Sequence, residues 1–244
     1  MAWFTARWRE LGVLLAPPHW GALAFCVAFA LFWTRLGPKA SLMRPAAWLG
    51  FAAGVLIFPL TVLWVQADIQ KASHDLLTAV AGQETVDARP LLSGAFLSLT
   101  GAAAQEILKL LAILFVIFLL GYRRDIPTAL SVGVAVALGY ALFEGERFLT
   151  PVLNEGLTNR SASPLVRSLF QIGAHVGTGM VLARSWVDGK FVRYFLIAVI
   201  LQAALSYGAV LQLQGLAHNG ILAYHAAIAL LAFSWGSAIA VARR

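Results

Sequence analysis

A single cysteine, Cys26, stands in an apolar run, which excludes a disulfide framework and a thiolate metal cluster. Charge is scarce: 12% of the 244 residues are Asp, Glu, Lys or Arg, roughly half the share of a soluble domain. Acidic residues are fewer still, 11 against 18 basic ones, and the resulting +7 invites a nucleic-acid reading. That reading fails because the basic residues lie in short segments between apolar runs, where they act as membrane-topology determinants. No nucleic-acid partner is expected. The start MAWFTARWRE has two arginines but no compact apolar core followed by a small-residue cleavage site. Residues 1–19 are therefore expected to lie at the interface as an amphipathic segment before the bundle.

What the chain has is apolar length. Hydrophobic residues make up 60% of it, and mean hydropathy is +0.80. About 20 apolar residues span a bilayer, and seven runs reach or approach that length: 20–36, 47–67, 97–120, 127–149, 165–184, 191–213 and 219–241. The expected fold is an all-α polytopic membrane protein, one domain over 20–244 with about seven transmembrane helices in a lipid bilayer. Its only sizeable polar segment, about 66–90, reads as a surface helix and loop. Arg35, Lys39, Arg44, Arg123, Arg124, Arg184, Lys190, Arg193, Arg243 and Arg244 fall on one side, the acidic 66–90 segment and the 150–164 loop on the other. The positive-inside rule then puts the N-terminus outside and the C-terminus inside, with Arg7 and Arg9 against the trend. Such loops fit a bacterial inner membrane.

Inside this hydrocarbon sit Glu106 and Lys109, in the run AAAQEILKLLAILFVIFLLGY. A carboxylate there costs roughly 2.5–3.5 kcal/mol on insertion scales, so it is expected to face a cavity or a partner. One turn apart, the two can partly neutralise each other. Counting about 1.5 Å per residue from the outer span ends, Glu106, Glu144, His175, Ser206 and His225 fall in one band roughly 8–15 Å deep. Five spans thus contribute to a single layer. Arg167, Gln171 and His175, spaced i, i+4, i+8, draw a polar stripe down one helix face, and Gly173, Gly177 and Gly179 permit close helix approach around the histidine.

Two glutamates and one or two histidines can activate water directly, because a carboxylate removed from water suits a general base near neutral pH. The same set could ligate zinc through Glu144, His175 and His225, although no HExxH signature is present. Peptide hydrolysis is open to either route. A salt bridge within a bundle and a histidine bonded to a neighbouring helix remain the structural alternatives.

QEILK at 105–109, GYALFE at 139–144 and RSLFQIGAH at 167–175 resemble, in order, the motifs of the PrsW family of intramembrane proteases, relatives of the CAAX-prenyl-protease and Aph-1 groups. The resemblance covers about 95–210. It implies proteolysis of a membrane-anchored protein near the outer leaflet, with Glu106 as the base, Lys109 tuning it, Glu144 assisting or ligating, and His175 holding the oxyanion or a metal. Two positions depart from the family pattern: Gln105 replaces the first glutamate of the pair, and Ser206 stands where a later histidine is usual, with His225 as a substitute from the next helix. Both departures favour the alternative of a non-catalytic, Aph-1-like scaffold within a membrane complex.

Overall fold

The computed structural model describes residues 11–12, 16–37, 42, 44–121, 125–156 and 162–242. Its helices are α1 (Trp20–Leu36), α2 (Pro45–Leu60), α3 (Ala67–Ala81), α4 (Gln83–Ala88), α5 (Pro90–Leu119), α6 (Ile126–Asn154), α7 (Ala162–Asp188), α8 (Phe191–Leu213) and α9 (His218–Val241). No strand occurs among the described residues. Starts follow local chemistry. Pro45, Pro90 and Pro127 occupy first-turn positions that need no N–H donor, and the Asp125 carboxylate accepts from the Thr128 amide at 2.9 Å as an N-cap.

Five stretches are long and apolar enough to cross a membrane: Pro45–Ala81, α5, α6, α8 and α9, with the 17-residue α1 as a shorter apolar helix. The protein is an all-α membrane bundle. The expected span at 165–184 is present as the 27-residue α7, yet α7 is absent from the five. The reason is composition, with Arg167, Gln171, His175 and Thr178 set among its apolar residues. α7 packs against α9, α6, α8 and α1, so its polar residues meet protein instead of lipid.

Because lipid gives no hydrophobic drive for helix association, close packing rests on small residues. A Cβ at Gly54 of α2 would overlap the Val136 carbonyl of α6, and one at Gly139 would overlap the Phe51 carbonyl in return. Gly177 of α7 and Gly236 of α9 stand in the same relation. Trp33 of α1 inserts against Gly173 and donates its indole N–H to the Leu169 carbonyl at 2.7 Å.

Two boundaries differ from the sequence expectation. The second span does not stop near 67. Pro59 interrupts the hydrogen-bond ladder, a π-helical turn covers Thr61–Gln66, and the chain continues as helix to Ala81. The polar 66–90 segment is thus a helical extension with no buried residue in α3, a bend at Gly82 (φ +79°) and the short α4. Arg184, counted among the loop charges, is buried within α7 and paired with Asp188 at 3.0 Å. Lys39, Arg123, Arg124, Arg243 and Arg244, and most of the 1–19 segment including Arg7 and Arg9, lie outside the described residues. The end of that segment is tied to α6: Glu146 accepts from the His19 amide at 2.8 Å, and Arg147 donates to the Ala16 carbonyl.

Candidate functional site

α5, α6 and α7 bring four ionisable side chains into one unbroken row. On α5, Lys109 Nζ lies 2.5 Å from Glu106 Oε1, and both side chains are fully buried. The same ammonium reaches across to α7, 3.0 Å from His175 Nδ1 and 3.3 Å from Thr178 Oγ1. His175 Nε2 then meets Glu144 Oε2 of α6 at 2.7 Å. An ammonium only donates, so Nδ1 is the acceptor and Nε2 carries the proton that it donates to Glu144. Tyr140, one turn before Glu144, walls the row with its ring 5.3 Å from the imidazole and 5.4 Å from Lys109 Nζ.

Only one end of this row is open. The Glu144 side chain keeps 19% of its surface exposed, against 0% for Glu106, and it lines a cavity of about 220 Å³ walled by the π-helical turn, α5, α6, α7, α8 and α9. Arg167, Gln171, Ser206 and His225 line the same space. Gln171 lies against the Glu144 carboxylate, and the Arg167 guanidinium, stacked over the Phe148 ring at 5.0 Å, faces the same charge. A second, larger cavity of about 530 Å³ shares Gln66, Ser206 and Ala209 with the first and runs between α5 and α8 towards α3 and α4, past Gln70, His74 and Asp87. Together they form a funnel from the polar segment down to Glu144.

The expected layer is therefore assembled, with changed roles. Glu106 is sealed behind Lys109 and does not line the cavity, so the carboxylate positioned to meet a small molecule is Glu144. His175 has both ring nitrogens engaged, leaving none for an oxyanion or a metal. His225 turns Nδ1 to the Ile221 carbonyl at 2.8 Å. Among the described residues no three His, Cys, Asp or Glu side chains converge on a common point, so the expected Glu144, His175 and His225 ligand set does not fit zinc.

Gln105 has a role of its own. Its Nε2 donates to Gln66 Oε1 at 3.0 Å, and its Oε1 accepts from Gln202 Nε2 at 3.0 Å, a row of three amides from the π-helical turn, α5 and α8 along the cavity wall. The buried Gln202 Oε1 atom has no hydrogen-bond partner among the described residues. Gln66, Thr178 and Gln202 join the site without a sequence expectation. Gln202 had a signal, a lone amide in the middle of the apolar run VILQAAL, and Thr178 stands one turn after His175. Gln66 had none, since the π-helical turn is what directs it inward.

No family model, curated protein or solved structure matches the chain.

Proposed function

We propose that this chain is a membrane-embedded peptidase in which Glu144 is the base that activates water. The observation that carries the reading is the asymmetry of the buried row, whose single open carboxylate lines the cavity beside Arg167, Gln171 and Ser206. In the step, Glu144 takes a proton from water as the oxygen attacks the amide carbonyl carbon. The developing oxyanion accepts from Ser206 Oγ and the Gln171 amide. Glu144 then returns the proton to the leaving amine as the C–N bond breaks. His175 orients the carboxylate, and Lys109 with Glu106 fixes the tautomer of His175.

The substrate in this reading is a membrane-anchored protein, reached from the face that carries α3 and α4. With the basic loops inward, that face is the outer side of a bacterial inner membrane, the N-terminus is outside and the C-terminus inside. Co-expression with single-span candidate substrates tests the proposal. Glu144→Gln should stop processing while wild type cleaves, and processing at the wild-type rate in that variant overturns it.

One observation favours the Aph-1-like scaffold reading instead: Gln105 is held on both sides by amides, as a structural element would be. Recovery of a stable membrane complex with no cleavage by wild type would support that reading.

A further inference from the structure

Arg167 is the site's unused charge. Its guanidinium lines the cavity opposite Glu144 and makes no hydrogen bond or ion pair with a described residue; its one close partner is the Phe148 ring. A planar fork of donors in a half-buried space is matched by a carboxylate, which accepts two parallel bonds. Phosphate fits less well, because its second negative charge would face Glu144 across the same small cavity. The guanidinium thus lacks an anion, and within the peptidase reading the anion that reaches it is a carboxylate of the bound peptide.

We infer that the cavity is a receptor for a peptide carboxylate, with the Arg167 guanidinium taking the carboxylate through two parallel bonds. This inference rests on the peptidase reading and names its substrate class: a peptide acidic at the bound residue, either through its chain end or through an Asp or Glu side chain. The funnel supplies the route. Past Glu144 lie only the fully buried His175, Lys109 and Glu106, so a ligand that enters by way of Ser206 stops beside Arg167.

The test is equilibrium binding of short peptides to the full-length chain in detergent micelles. It is done on wild type at ice temperature and on Glu144→Gln, which removes turnover of the probe. The probes are N-acetyl-Ala-Ala, its C-terminal amide, and N-acetyl-Asp-Ala-amide. At least one acidic probe should bind about tenfold or more tighter than the neutral amide. Whichever acid binds tighter identifies chain end or side chain as the source. Arg167→Gln should erase the acid preference, and Arg167→Lys should retain part of it. Equal binding of acids and amide, or an acid preference that survives in Arg167→Gln, overturns the inference. Acetate competing as well as the acidic peptides would show a site for any carboxylate and overturns the peptide part of the inference. An acid preference without hydrolysis overturns the peptidase reading alone, and hydrolysis without an acid preference overturns only this inference.

Discussion

His175 and Glu144 meet across two helices, Nε2 to Oε2 at 2.7 Å, and this contact gives the two buried glutamates different environments. Glu106 shares an ammonium wholly inside protein, whereas Glu144 is held by a neutral imidazole at the edge of a cavity. The row contains one carboxylate–ammonium pair and one further carboxylate, which the Arg167 guanidinium faces across the cavity. Removing any member shifts an uncompensated charge onto its neighbour.

The Lys109–Glu106 pair can be tested by a double-mutant cycle. Lys109→Met leaves Glu106 charged with no donor but the distant Thr178, at 3.5 Å. Breaking a buried pair from one side costs about 3–5 kcal/mol. The double variant Lys109→Met/Glu106→Gln should regain much of that loss, because no buried charge is left unpaired. Unfolding of the purified protein in mixed micelles measures both. A double variant as unstable as the two singles summed would show that the pair is not coupled.

Much of the fold was legible because hydropathy, helix caps and first-turn prolines are local signals. The runs at 191–213 and 219–241 nearly coincide with α8 and α9 for that reason. The depth argument also worked for Glu106, Glu144 and His175, since charges in hydrocarbon have few places to go. What it could not give was direction. Depth is the same for a carboxylate facing a cavity and one sealed behind a lysine, and the choice between Glu144 and Glu106 depends on how α5, α6 and α7 rotate against each other. Gln66 was illegible for a different reason. A π-helical turn changes the helix phase by a fraction of a turn, which residue spacing does not record.

The glycine contact between α2 and α6 should be intolerant of size. A side chain at Gly139 has the Phe51 carbonyl in its place, and backbone cannot move aside as a flexible side chain can. Gly139→Leu is expected to lower stability by about 3 kcal/mol or more, above the usual range for overpacking. Gly82→Ala, at a bend with open space around it, should cost less despite its positive φ. Thermal unfolding of the two variants ranks them, and equal melting temperatures would contradict the close approach.

Trp33 ties the short α1 to the centre of the bundle. Trp33→Phe keeps most of the ring packing against Phe233 and Gly173 but leaves the Leu169 carbonyl without its side-chain donor. A loss of about 1 kcal/mol is expected, near the net value of one hydrogen bond. Trp33→Ala removes the ring as well and should cost about 3–5 kcal/mol. A cost for Trp33→Phe equal to that for Trp33→Ala would mean that packing contributes nothing at this contact.

The funnel predicts an order of thiol reactivity. The one native thiol, Cys26, is fully buried, so the wild-type chain should resist a charged, membrane-impermeant methanethiosulfonate. Ser93→Cys near the mouth should react fastest. Ser206→Cys, where the two cavities join, should react more slowly yet measurably. Lys190→Cys, exposed between α7 and α8, reports the opposite face. Right-side-out vesicles should label the two serine positions and spare position 190, and inverted vesicles should do the reverse. Right-side-out vesicles that label position 190 and spare the serine positions would invert the orientation proposed from the basic loops, and labelling of Ser206→Cys from the same face as Lys190→Cys would mean that the cavity does not open towards α3 and α4. No labelling of Ser206→Cys from either face would mean that water does not reach the cavity, and a buried base without water cannot hydrolyse anything.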